Sequence, residues 1–176
     1  MKRDDALVEC AKRGDPDAWR ELYRSHAGRL VVWLQSRSSS DAALSCEDIA
    51  SEAWLVAASR VQEFSGSSDE FAGWLFGIAR NHVLNLHRRA GRRRTEPDGG
   101  VAAGSLLARD DIAAYDGLDA VRRHLAVLPD REREVVACLE VVGLDVAGTA
   151  AALGISATAV RVARHRGLKK LRGATT

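Results

Sequence analysis

The side chains with the greatest chemical reach in this 176-residue chain are its arginines and lysines, and they fall in two blocks. Residues 78–94 carry Arg80, Arg88, Arg89, Arg92, Arg93 and Arg94 and no acid. Residues 155–176 carry Arg161, Arg164, Arg166, Lys169, Lys170 and Arg172, again with no acid. Elsewhere the sign reverses: residues 95–120 hold six acids and one base, and residues 41–70 seven acids and one base. The formal net charge is only +2, so the information lies in the distribution. Guanidinium forks suit phosphates and base edges, which predicts two separate contacts with a polyanion. The acidic stretches predict surfaces for a basic partner.

Other chemistries find little support. Cys10, Cys46 and Cys138 stand far apart, and the five histidines are as scattered, without the close pairs that metal sites use. No phosphate-cradling glycine loop and no recognisable nucleophile–base set occurs, so no catalytic residue, metal or cofactor is expected.

The most specific pattern is local. Val146-Ala147-Gly148-Thr149-Ala150-Ala151-Ala152-Leu153-Gly154-Ile155-Ser156-Ala157-Thr158-Ala159-Val160 has the layout of a helix-turn-helix. Ala150 is small where a second helix crosses, and Gly154 sits where the chain turns with positive φ. Ile155 and Val160 fill the corner, and Ser156 caps the next helix. That helix offers Thr158, Arg161, Arg164, His165 and Lys169 to a major groove. Gly148 inside a helix costs about 1 kcal/mol relative to alanine, without an evident local reason.

The elements that must hold these residues are helical. Alanine is abundant and β-branched runs are rare. Apolar residues make up 46% of the chain, enough for packed cores. No apolar stretch approaches the roughly 20 residues that cross a bilayer, and Met1-Lys2-Arg3-Asp4-Asp5 is followed by no apolar signal core, so a cytoplasmic location is expected. The fold class is all-α, with two small helical domains joined by a flexible linker. The boundaries are 1–92, a linker over 93–117 rich in glycine and acid, and 118–176 with the helix-turn-helix.

Four helices are expected in the first part, over 4–13, from Pro16 to about Leu34, over 46–63 and over 70–89, with 36–44 as a polar loop. Asp15-Pro16-Asp17 is a strong helix start. The fourth helix should turn Phe71, Trp74, Leu75, Ile78, His82, Val83 and Leu86 inward and Arg80, Asn81, Asn85 and Arg88 outward. Four more are expected over 118–127, 130–141, 146–153 and 157–172, with Asp145 capping the third. A short helical turn is expected at 106–112 within the linker.

At this point a family resemblance covers nearly the whole chain. Ala11-Lys12-Arg13-Gly14-Asp15-Pro16-Asp17-Ala18-Trp19-Arg20-Glu21-Leu22-Tyr23 resembles the opening of the first conserved domain of extracytoplasmic-function (ECF) RNA polymerase sigma factors. Glu47-Asp48-Ile49-Ala50-Ser51-Glu52-Ala53-Trp54 is similar to their polymerase-binding segment, and Phe71-Ala72-Gly73-Trp74-Leu75-Phe76-Gly77-Ile78-Ala79-Arg80-Asn81 to their promoter-reading helix. Leu128-Pro129-Asp130-Arg131-Glu132-Arg133-Glu134-Val135, followed by the helix-turn-helix, resembles the second domain.

The resemblance implies a binding protein, not an enzyme, that directs core RNA polymerase to promoters. It implies docking of Asp48, Ser51, Glu52 and Leu55 on the clamp helices of the largest polymerase subunit, and of the second domain on the flap of the second largest. It implies a minus-ten site at Ser67, Ser68, Asp69, Glu70, Arg80, Asn81 and Arg88. There a rim of small polar residues would hold an unstacked base, and the basic residues would anchor phosphates. It implies that Thr158, Arg161, Arg164, His165 and Lys169 read the minus-thirty-five duplex. Residues 95–120 would thread the RNA-exit path, and an anti-sigma factor is a further partner of the family. One departure stands out: Arg164 occupies the place of a usually buried leucine, so either the helix is rotated or Arg164 snorkels. The competing reading is a conventional helix-turn-helix regulator that binds duplex operators as a dimer, which leaves residues 47–81 without a purpose.

Overall fold

The computed structural model describes residues 3–37, 45–93 and 118–174. Among them are eight α-helices and no strand. The N-terminal bundle comprises α1 (Arg3–Lys12), α2 (Pro16–Arg37), α3 (Cys46–Arg60) and α4 (Ser68–Arg93), with a 3-10 turn (Val61–Glu63) after α3. The C-terminal bundle comprises α5 (Leu118–Ala126), α6 (Asp130–Val136), a π turn (Ala137–Val141), α7 (Val146–Leu153) and α8 (Ala157–Ala174). The expected helical turn at 106–112, and the linker from residue 94 onward, lie outside the described residues.

Local chemistry sets the helix ends. The Asp15 carboxylate accepts from the Asp17 N–H at 2.9 Å and so opens α2. The expected loop at 36–44 begins later, because α2 continues through Arg37. Ser36 is buried there, and its hydroxyl donates to the Trp33 carbonyl at 2.8 Å, which satisfies it within the helix. α4 starts at Ser68, two residues before the expected Glu70. The cause is a capping box: the Glu70 carboxylate accepts from the Ser67 N–H at 2.7 Å, while the Glu70 N–H donates to the Ser67 hydroxyl at 3.3 Å. The expected single helix over 130–141 changes pitch at Ala137, where the Val142 N–H reaches back to the Ala137 carbonyl.

The N-terminal core is aromatic. Trp33 and Phe76 are fully buried with ring centroids 5.2 Å apart. Phe71 meets Phe64 edge-on at 5.6 Å. Burying each such ring contributes about 1.5–3 kcal/mol. The buried stripe of α4 is Phe71, Ala72, Leu75, Phe76 and Ala79. Phe76 therefore belongs to it, whereas Trp74 and Ile78 are only half-buried at its margin. In the C-terminal bundle Leu128, Val135, Cys138 and Val160 form the centre. Arg133 ties α5 to α6 by donating to the Leu125 and Leu128 carbonyls at 3.2 and 2.8 Å.

The two bundles are packed against each other. α7 lies across α4 in the most extensive helix–helix contact of the described residues. A Cβ built on Gly73 would come within 2.7 Å of both the Cα and the carbonyl oxygen of Gly148, so the crossing is backbone on backbone. The close approach accounts for Gly73, where any side chain would run into the Gly148 backbone. Arg29 of α2 makes a second bridge, its Nε donating to the Val142 carbonyl at 2.7 Å and its Nη2 to the Gly143 carbonyl at 3.1 Å.

Candidate nucleic-acid and polymerase interfaces

The helix-turn-helix is built as its residues dictate. The Asp145 carboxylate accepts from the Gly148 N–H at 2.6 Å and starts α7. Gly154 ends α7 with φ +64°, the left-handed conformation that suits glycine. The Ser156 hydroxyl then accepts from the Ala159 N–H at 3.2 Å and starts α8. α7 and α8 meet at 101°, within the roughly 90–120° of helix-turn-helix pairs.

α8 seats itself through Val160, Ala163 and Gly167, all buried. The opposite face, at spacings of three and four, presents Thr158, Arg161, His165 and Lys169, all exposed. Val162 belongs to this face as well and is 43% exposed. It is not among the base-reading residues expected from the sequence, where the departure at Arg164 put a base contact at Val162 in doubt; its place one turn from Thr158 and three residues before His165 marks it. Its methyls suit contact with a thymine methyl. Arg164 stands apart from this set. It is exposed, and its Nε donates to the Glu140 carboxylate at 2.6 Å, so it braces α8 on the π turn. The question of the missing leucine is thus answered by register: Ala163 and Gly167 are inward, and Arg164 lies beside them at the edge.

The expected minus-ten residues divide. Ser67 and Glu70 are occupied by the capping box, and hydrogen bonds from the Ser67 N–H and hydroxyl hold the Glu70 carboxyl below its usual range. Ser68 is buried. Asp69 falls in the first turn of α4, and its side chain lies outside the described residues. Asn81 and Arg88 are exposed on the outer side of α4, while Arg80 is half-buried with its Nε shielded from solvent. Asn81 shares a cleft with Phe64, Trp74, Ile78 and, from across the bundles, Ala147 and Ala151.

α3 carries the acidic strip. Glu52 and Leu55 are exposed, and Asp48 and Ser51 half-exposed, one turn apart along one side of the helix. Leu55 is 58% exposed, the most exposed large apolar residue described. The Ser51 hydroxyl donates to the Glu47 carbonyl at 2.9 Å, which leaves the carboxylates and Leu55 as the polar and apolar parts of the strip.

Comparison with known proteins agrees with this architecture. Residues 22–93 match the family Sigma-70 region 2, and residues 118–171 match Sigma-70, region 4. The ECF RNA polymerase sigma factor SigD of Mycobacterium tuberculosis is 33% identical over 181 residues, covering 97% of this chain and 83% of the relative. ShbA of Streptomyces griseus, another ECF RNA polymerase sigma factor, is 31% identical, with 95% and 92% covered. In fold the chain is similar to CnrH, solved in complex with the cytosolic domain of CnrY. The TM-score is 0.65 at 24% identity, and 99% of this chain and 97% of that one are covered. It is similar also to the sigma factor RpoE of Bartonella quintana, solved in complex with the anti-sigma factor NepR. Here the TM-score is 0.66 at 23% identity, with 89% and 95% covered. The operator-binding reading finds no counterpart in these relatives. With a region 2 whose fourth helix bears the basic outer residues and a region 4 built as a helix-turn-helix, the chain belongs to the ECF RNA polymerase sigma factors, which bind core RNA polymerase and direct promoter-specific initiation.

Proposed function

We propose how the parts of this sigma factor divide the work. Residues 1–92 act as the core-binding and strand-opening domain, 118–176 as the duplex-reading domain, and 93–117 as the tether. Asp48, Glu52 and Leu55 dock on the clamp helices, and Ser51 supports them from within α3. The observation that carries this assignment is Leu55, an apolar side chain 58% exposed beside two acids. An apolar spot ringed by carboxylates suits a basic coiled-coil partner, where burial supplies affinity and charge supplies register.

Asn81, Arg80 and Arg88 hold the unwound minus-ten strand and its last paired bases. Ser67 and Glu70 shape the site by fixing the start of α4, which orients the rim without offering their own capping atoms. Thr158, Arg161, Val162, His165 and Lys169 read the minus-thirty-five duplex, and Arg164 positions them through Glu140. The C-terminal domain docks on the polymerase flap. A partner of the anti-sigma class, like the NepR bound to the similar RpoE, completes the set. The action is binding and strand opening, with no catalytic group of its own. Among the described residues no single helix is long and apolar enough to cross a membrane, which is compatible with the cytoplasmic site where polymerase works.

The decisive experiment reverses the charge of the strip. Asp48→Arg combined with Glu52→Arg is expected to reduce core-polymerase binding at least a hundredfold while helical circular dichroism is unchanged. A folded double variant that still binds core enzyme as the parent does would remove α3 from the interface.

A further inference from the structure

We propose that Gly167 is a positioning residue for promoter reading: its bare backbone, seated on Val136 of α6, sets the tilt at which α8 offers its outer row to the minus-thirty-five duplex. Glycine is the poorest helix former after proline, so one held within α8 (Ala157–Ala174) calls for a tertiary reason. Gly167 is buried, and a Cβ built on it would lie 2.8 Å from Val136 Cγ2, 3.5 Å from Glu132 Cβ and 3.6 Å from Leu128 Cδ1. Those three residues are spaced four apart and so form one ridge along α6 and the turn that precedes it. α6 and α8 make the most extensive helix–helix contact within the C-terminal bundle, and at Gly167 the ridge meets backbone.

The ridge has no room to retreat. Val136 is 2% exposed and Leu128 1%, and both are enclosed by close-packed neighbours. Valine is branched at Cβ and stiff about χ1, which fixes the methyl that faces Gly167. Glu132 is held as well, its carboxylate 2.8 Å from the Lys170 Nζ, one turn beyond Gly167. A methyl added at position 167 would stand about 0.6 Å inside the 3.4 Å at which ordinary contact begins, and α8 must move to supply the difference.

α8 rests on two supports. Near its start it crosses α7 at 101°, with Val160 wholly buried in the corner. About 10 Å further along, at 1.5 Å per residue, it rests on the ridge at Gly167. Two supports fix the direction of a rod, and lifting one turns it about the other. Lifting α8 by about 0.6 Å at Gly167 moves its backbone about 0.8 Å at Lys169 and about 0.4 Å at His165, but under about 0.2 Å at Arg161 and Val162. Side chains that read base edges need placement to within about 0.5 Å. Position 167 therefore governs the far end of the row, and the turn governs the near end. Gly167 itself touches no DNA, because it lies on the side of α8 opposite the exposed Thr158, His165 and Lys169. This role rests on the assignment of α8 to the minus-thirty-five duplex.

Selection of promoters by reconstituted holoenzyme, from a library randomised across the minus-thirty-five element, gives a preference at each base pair and tests the role. Arg161→Ala, run alongside, marks the base pairs read by the near end, and a His165→Ala/Lys169→Ala double variant marks those read by the far end. Gly167→Ala is expected to lower the preference about tenfold at the far-end base pairs and to leave it within about twofold at the near-end ones. Adding Val136→Ala, which removes the methyl that the new one meets, should bring the profile back to the parent's. Circular dichroism establishes that each variant is folded. If Gly167→Ala is not, Val136→Ala alone decides: it lowers the same support and should disturb the far-end base pairs more than the near-end ones. A folded Gly167→Ala with the parent's profile, an equal loss at every base pair, or a loss that Val136→Ala does not relieve overturns the role of Gly167. A double variant that marks no base pair overturns it too, while reading by Arg161 stands. If Arg161→Ala also leaves the profile unchanged, the assignment of α8 to the duplex falls first, and the role of Gly167 with it.

Discussion

α4 and α8 are both basic helices, yet one is covered and the other bare. α8 buries Val160, Ala163 and Gly167 and leaves its reading face open along its length. α4 buries an aromatic stripe on one side and then meets α7 on another, through Gly73. The difference follows from side-chain size. On α8 the small residues face the helix's own domain, so close packing stabilises region 4 alone. On α4 Gly73 faces outward, and its partner comes from the other domain. The outer face of α8 is bare, whereas part of the outer face of α4 is covered by the other bundle.

Acid should act on the covered side with the largest effect. His26 is buried against Phe71, 6.0 Å between ring centroids, and lies 3.4 Å from Arg29. Burial, and secondarily the Arg29 charge, push its pKa from 6.5 down to about 4. The folded protein therefore holds His26 neutral while the unfolded chain protonates it below pH 6.5. Stability on this account is intact above pH 6.5 and is lost as pH falls toward 4, by roughly 3 kcal/mol. Denaturant melts at pH 7 and pH 4.5 should show this loss in the parent and a much smaller one in His26→Leu.

Arg161→Ala addresses the bare side. It should cost about 1–3 kcal/mol of affinity for minus-thirty-five duplex if Arg161 makes a bidentate base contact. The loss should be alike in the free and polymerase-bound protein, because the face is open in both. A loss confined to the bound form would show that α8 too is masked. Asp145→Ala removes the cap of α7, the helix that packs on both bundles. About 1 kcal/mol of thermal stability should go with it. Thr149 is fully buried in α7, with its hydroxyl lacking a hydrogen-bond partner among the described residues. Thr149→Val keeps the shape and removes the stranded hydroxyl, so a gain of about 0.5–1 kcal/mol is expected in the same melts.

The sequence disclosed most where structure is decided within a few residues. Asp145, Gly154 and Ser156 specify a cap, a left-handed turn and a second cap, and α7 occupies the expected 146–153. The acidic strip was legible because Asp48, Glu52 and Leu55 share a helix side by spacing alone. What was hidden depended on contacts between distant parts of the chain. Gly73 passes unremarked in the sequence until its helix is seen to run directly against the Gly148 backbone of α7. Phe76 fell outside the expected stripe because a helix packed on two sides buries a wider arc than one packed on a single side. Arg164 was expected as a base contact from its type, and its ion pair with Glu140 is a tertiary contact that the sequence does not announce. Ser67 and Glu70 were legible as a capping box from their spacing, yet were read first as pocket residues.

The Arg164–Glu140 brace has a consequence for anyone who wishes to reprogram this protein. A transplant of promoter preference from a relative would naturally exchange every polar position along α8. Here the exchange should stop at positions 158, 161, 162, 165 and 169. Replacing Arg164 as well would give up an ion pair to the π turn, a small contribution beside the buried Val160, Ala163 and Gly167, and would change the seating of α8 rather than its exposed row.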